Sequence, residues 1–196
     1  MISGLIVILL LSCSQARVFD NPVIKNLDNP DPGVVLFNGT YYATTTSSDN
    51  NSVHEKFPIY SSTDLQNWEL KSYIINQENV PTWSTNVAYW APEIHVIDNK
   101  FLSYFTTRDN LTQKMAIAAA YSSNILGPYK VLDHPLVRDQ TQDVLDATLV
   151  RYNNSIYLFW KGREWVYGSK LTPDGLSFES NDTRLIIRNE DRKSVV

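Results

Sequence analysis

The chain is 196 residues long, with 17 Lys+Arg against 21 Asp+Glu for a formal net charge of −4; 43% of it is hydrophobic and 19% charged. That balance belongs to a folded globular protein and excludes a disordered one, and mild acidity without a basic run argues against DNA or RNA as the main partner. Aromatic residues reach 12%, including 11 Tyr and 5 Trp, which suits a β-rich fold and surfaces that stack on sugar rings.

The first segment stands apart from the rest. Residues 1–11 are almost wholly apolar and are followed by Ser12-Cys13-Ser14-Gln15-Ala16. The run is too short to span a bilayer and reads as a secretory signal over 1–16, with Ser14 and Ala16 at −3 and −1 of a cut before Arg17. No Lys or Arg precedes the run, and Leu10-Leu11-Ser12-Cys13 leaves a lipoprotein anchor at Cys13 as the alternative. Cys13 is the single cysteine, so the mature chain 17–196 has no disulfide and no thiolate chemistry. Sequons at Asn38, Asn50, Asn110, Asn153 and Asn181 are a modest excess over the roughly three that chance supplies, and they point towards a secreted glycoprotein.

Three segments then repeat one pattern: Asn38-Gly-Thr-Tyr-Tyr-Ala-Thr-Thr, Asp98-Asn-Lys-Phe-Leu-Ser-Tyr-Phe and Asn153-Asn-Ser-Ile-Tyr-Leu-Phe-Trp. Each is a polar turn opening onto an aromatic-rich strand. Shorter strands precede them at 33–37, 94–97 and 148–152, and third strands follow at 59–62, 117–123 and 166–169. Turn-like stretches at 64–68, 125–129 and 172–176 each open onto a fourth. The repeats lie 60 and 55 residues apart. Four antiparallel strands at that period predict the blades of a β-propeller more readily than a β-sandwich, which would lack the recurrence. Three blades fit between Arg17 and Val196, whereas propellers close with about four to eight, so the expectation is an all-β, incomplete propeller.

Asp31 stands seven residues before Asn38, and Asp146 seven before Asn153; the second repeat has Ala91 there, within Trp90-Ala-Pro-Glu93. Two carboxylates at the start of the innermost strands of different blades would converge at the channel mouth, as acid/base chemistry at one bond requires. The plainer reading is that each organises a turn, since Asp28-Asn-Pro-Asp-Pro-Gly33 is rich in turn formers and Asp146 precedes Ala-Thr.

Asn29-Pro-Asp-Pro-Gly33 with Gly39-Thr-Tyr-Tyr42, then Phe57-Pro-Ile-Tyr-Ser-Ser-Thr-Asp-Leu-Gln-Asn-Trp68, Trp90-Ala-Pro-Glu-Ile94 and Leu145-Asp-Ala-Thr-Leu149, resemble glycoside hydrolase family 43 in the expected order. The resemblance implies a five-bladed propeller that hydrolyses arabinan, arabinoxylan or xylan side chains with inversion, using three carboxylates. It implies that Asp31 is the general base activating water and that Asp146 orients the acid and raises its pKa. The acid itself would be a Glu opening the fourth blade, beyond Val196; Glu190 does not match its motif. Glu93 reads as a structural or supporting carboxylate, though it and Glu164 are the substitutes for a missing acid. Trp90 is the candidate wall for stacking on a sugar ring. Trp68 reads as structural, and Trp160 and Trp165 as core or blade-face residues. Arg108 and Arg163 read as loop residues more readily than as substrate contacts. His54, His95 and His134 lack metal-ligand spacing. No cofactor is identifiable, although some relatives hold a channel cation such as calcium. The expected partner is a polysaccharide or oligosaccharide, with no membrane span and no partner protein implied; the alternatives are a carbohydrate-binding or vestigial propeller and a generic interaction propeller.

Overall fold

The structure, a computed structural model, describes residues 21–25, 29–47, 55–180 and 183–188. The expected signal segment 1–16 with Cys13, and Asn50, His54, Asn181 and Glu190, lie outside the described residues. Those described form twelve strands and no helix.

The strands make three antiparallel four-stranded sheets, each in chain order. The first blade is β1 (Gly33–Phe37), β2 (Thr40–Thr44), β3 (Lys56–Ser62) and β4 (Glu69–Ile75). The second is β5 (Trp90–Ile97), β6 (Lys100–Arg108), β7 (Met115–Ser122) and β8 (Lys130–Val131). The third is β9 (Leu145–Tyr152), β10 (Ser155–Lys161), β11 (Trp165–Leu171) and β12 (Arg184–Arg188). The three repeats of the sequence are thus three propeller blades.

The hairpins follow from their turn residues. Asn38 and Gly39 have φ of 48° and 76°, and Asn153 and Asn154 have 46° and 60°, the positive pair that matches the right-handed twist of the flanking strands. Asn and Gly adopt that region at little cost.

The innermost strands β1, β5 and β9 pack against one another, and the cores lie between blades. Phe57, Ile59, Phe105 and Ala118 centre the one between the first and second blades, with Phe57 and Phe105 rings 4.9 Å apart. Leu102, Tyr104, Ile117, Leu158 and Trp160 centre the one between the second and third. β7 lies between the two cores, and its run Ala116-Ile117-Ala118-Ala119-Ala120 is buried on both faces.

Several strand boundaries differ from expectation. β5 and β9 begin at Trp90 and Leu145, ahead of the apolar stretches that mark them in sequence. β8 has two residues, because Pro135 lacks an N–H and the chain loops out at Asp133-His134 before Leu136 and Val137 N–H return to the Ile117 carbonyl at 2.8 and 3.2 Å. β12 starts at Arg184, eight residues past the 172–176 turn.

Candidate functional site

Each innermost strand is entered through one residue in the left-handed region. Asp31, Ala91 and Asp146 have φ of 52°, 46° and 56°, at the same place in the three blades. Asp tolerates that region better than Ala, and a positive φ interrupts the in-and-out alternation of a strand. Together with Glu93, these three residues line one cleft of about 280 Å³ at the mouth of the channel.

Asp31 is fixed by the end of its own blade. The Thr46 hydroxyl donates to Asp31 Oδ2 at 2.6 Å, and the Ala91 N–H donates to Thr46 Oγ1 at 2.7 Å. The neighbouring Asn29 Oδ1 accepts from Thr45 Oγ1 at 3.0 Å and from the Tyr60 hydroxyl at 3.2 Å. Asp146 is tied through its backbone, whose N–H donates to Thr106 Oγ1 at 3.3 Å. The side chains of Asp31 and Asp146 face the open cleft and are exposed.

Glu93 reaches the same cleft from two residues farther along β5, where the other blades carry Gly33 and Thr148. A Cβ on Gly33 would meet the Pro92 carbonyl at 2.9 Å, so only glycine lets β1 approach β5 here. Glu93 Oε2 accepts from Thr148 Oγ1 at 2.8 Å and pairs with His95 Nε2 at 2.9 Å. Burial pushes the Glu93 carboxyl up, but the bonds from His95 and Thr148 and the His95 charge outweigh it and hold it below its ordinary range. The cleft thus collects a carboxylate from each of three blades. Below it the channel continues as a cavity of about 560 Å³ past His95, Leu149 and Arg151.

The profile of Glycosyl hydrolases family 43 matches residues 19–195. The chain belongs to that family. It is 30% identical over 149 residues to the beta-D-galactofuranosidase xynD of Aspergillus niger, a match covering 70% of this chain and 41% of that protein. It is 23% identical over 113 residues to the extracellular endo-alpha-(1->5)-L-arabinanase 2 of Bacillus subtilis, covering 56% and 24%. Among solved structures, a thermostable family-43 glycoside hydrolase superposes with TM-score 0.73 at 26% identity, over 87% of this chain and 56% of that one. The endo-arabinase of Bacteroides thetaiotaomicron gives TM-score 0.70 at 21% identity, over 88% and 60%. The chain therefore spans less than half the length of the curated relatives and somewhat over half that of the solved ones.

Around this cleft the remaining candidates separate. Trp90 is 40% exposed beside Ala91, at the start of β5. Arg108 donates from Nη1 to the Gln113 carbonyl at 2.9 Å, and the Arg163 N–H donates to Gln142 Oε1 at 3.0 Å, so both belong to loop networks. Glu164 is exposed. Trp160 is buried and stacks on Tyr167, Trp165 opens β11, and Trp68 donates to the Leu65 carbonyl at 3.2 Å. His134 pairs with exposed Asp133 at 2.6 Å. Asn38 and Asn153 occupy exposed hairpin tips, whereas the Asn110 amide donates to the Thr82 carbonyl at 3.1 Å.

Among the described residues no group of three or more His, Cys, Asp or Glu stands close enough to hold a metal ion. No described helix is long and apolar enough to cross a membrane. Sequence reasoning missed Thr46, Thr106 and Thr148; the first two stand eight residues after the turns at Asn38 and Asp98, a recurrence that could have been read.

Proposed function

We propose that this protein is a secreted glycoside hydrolase acting on arabinose- or xylose-containing polysaccharides with inversion. The observation that carries the reading is the convergence of Asp31, Glu93 and Asp146 from three blades on one cleft. In this reading Asp31 takes the proton from the attacking water, and Asp146 orients the acid and keeps it protonated by its negative charge. An inverting enzyme keeps acid and base about 6.5–9.5 Å apart so that water fits between base and sugar.

Glu93 is the wrong group for the acid. A general acid must carry its proton at working pH, and His95 and Thr148 hold the Glu93 carboxyl in the ionised form. In this reading Glu93 is not the acid, and its negative charge favours protonation of the group that is. Trp90 supplies a stacking face for a furanose or pyranose ring. The names of the relatives, a galactofuranosidase and an arabinanase, favour five-membered rings at the reactive subsite. The apolar run at 1–16 and the extracellular arabinanase relative support secretion, and exposed Asn38 and Asn153 support glycosylation in a eukaryotic host.

The test is Asp31→Asn in the full-length protein, assayed on arabinan and on aryl arabinofuranoside, xyloside and galactofuranoside. The amide keeps the shape but cannot accept water's proton, so kcat should fall at least ~10²-fold with the circular dichroism spectrum unchanged. Retention of more than a tenth of the activity on every responsive substrate would assign Asp31 to turn formation instead.

A further inference from the structure

Thr46 closes the first blade against the second. It stands eight residues after Asn38, where the second and third repeats carry Thr106 and Lys161. The Thr46 N–H donates to the Pro30 carbonyl at 2.9 Å, directly before Asp31, and the residue is 8% exposed, so the hydroxyl is largely shielded from bulk water. That hydroxyl has one proton and two lone pairs. The Ala91 N–H can only donate, so at 2.7 Å it occupies a lone pair of Thr46 Oγ1. The single proton is then left for Asp31 Oδ2, 2.6 Å away, a distance ordinary for a hydroxyl donating to a carboxylate.

The counterparts do not repeat this arrangement. Thr106 accepts the Asp146 N–H in the same way, but its own blade has Ala91 where the first blade has Asp31. Lys161 in the third blade cannot accept at all. Among the described residues no donor reaches Asp31 Oδ1.

We propose that Thr46 is a positioning residue that commits Asp31 Oδ2 to the second-blade backbone and leaves Oδ1 as the oxygen that takes the proton from water. This rests on the reading of Asp31 as the general base. The carboxylate has two equivalent oxygens in solution; the Thr46 relay makes them inequivalent, and it fixes the base relative to a neighbouring blade. Misplacing a reacting group by about 1 Å can cost 10²-fold, so the effect belongs to kcat.

The experiment compares Thr46→Val, Thr46→Ala and Thr46→Ser in the full-length protein, with Asp31→Asn alongside. Val and Ala should lower kcat by ~10-fold or more with KM changed less than ~2-fold, and Ser, which keeps both bonds, should retain at least about half of kcat. Equal losses in Ser and Val, or a Val variant within ~3-fold of the parent, overturn the proposal while the loss in Asp31→Asn leaves the base reading standing. Full activity in Asp31→Asn removes the base reading and this proposal with it. Val leaves the Ala91 N–H unpaired and could unfold the protein, so neutron diffraction of the unsubstituted protein gives a second measurement. A deuteron on the line from Thr46 Oγ1 to Asp31 Oδ2 supports the assignment, and a deuteron directed elsewhere overturns it.

Discussion

At the scale of single residues, Glu93 is the carboxylate whose surroundings the fold defines most fully. Its folded-state titration lies below the ordinary value of 4.5, so the stability it contributes is present above that pH and is lost as acid protonates it. Glu93→Gln keeps the shape and can still bond Thr148, yet it removes the titration. Urea unfolding across about pH 6 to 3 should therefore show a shallower acid-side decline in the variant than in the parent. Parallel declines would mean that the His95 and Thr148 bonds form equally well to the protonated group. Asp31 and Asp146 were legible in sequence because the same residue type recurs at the same distance from a turn. Glu93 has no repeat behind it, since its equivalents are Gly33 and Thr148, and its expected supporting part came from the resemblance carried by Trp90-Ala-Pro-Glu93. Thr46 was hidden for another reason: its partners, the Asp31 carboxylate and the Ala91 N–H, lie 15 and 45 residues away.

At the scale of elements, a part-buried ion pair joins the loop after β6 to the segment between β8 and β9. Asp109, directly after β6, is fully buried and receives Arg138 Nε and Nη2 at 2.8 and 2.9 Å from the loop between β8 and β9. Burial pushes its carboxyl up, but Arg138, the Thr112 hydroxyl and the Leu111 and Thr112 N–H groups outweigh it and hold it low. The same loops are tied again where the Met115 N–H donates to Asp143 Oδ1 at 2.8 Å. Asp109→Asn leaves a part-exposed Arg138 without its charge partner and should cost about 2 kcal/mol of unfolding free energy. Limited proteolysis should open the 109–114 and 138–143 segments first; uniform resistance with unchanged stability would count against the pair as an organiser. Hairpins were legible because turn residues and alternation are local signals. β8 and β12 were legible as the fourth strands that the turns open onto, but their bounds were not, because an outer strand has a weak apolar pattern and Pro135 cuts the former short.

At the scale of the molecule, burial at equivalent positions shows what each blade expects beside it. Ile94 and Val96 on β5 pack into the core shared with the first blade, and Leu149 on β9 packs into the core shared with the second. Their counterparts on β1, Val34 and Leu36, are 54% and 57% exposed. The opposite face behaves alike: Phe37 and Ile97 pack against the next blade, whereas Tyr152 at the same position is 65% exposed, beside Val150. Among the described residues nothing covers these two faces, and both are apolar surfaces of the kind that associate in water. The 196-residue chain expressed alone should therefore be oligomeric or insoluble at micromolar concentration, or unfold without cooperativity. Sedimentation velocity and a thermal melt followed by circular dichroism measure this directly. Two charges at once, Leu36→Lys and Tyr152→Asp, should shift the population towards monomer without lowering the melting midpoint, because neither side chain is in a core. A sharp two-state melt of a soluble monomer by the unsubstituted chain would show that three blades suffice for a stable unit, and that the exposed strands need no neighbour.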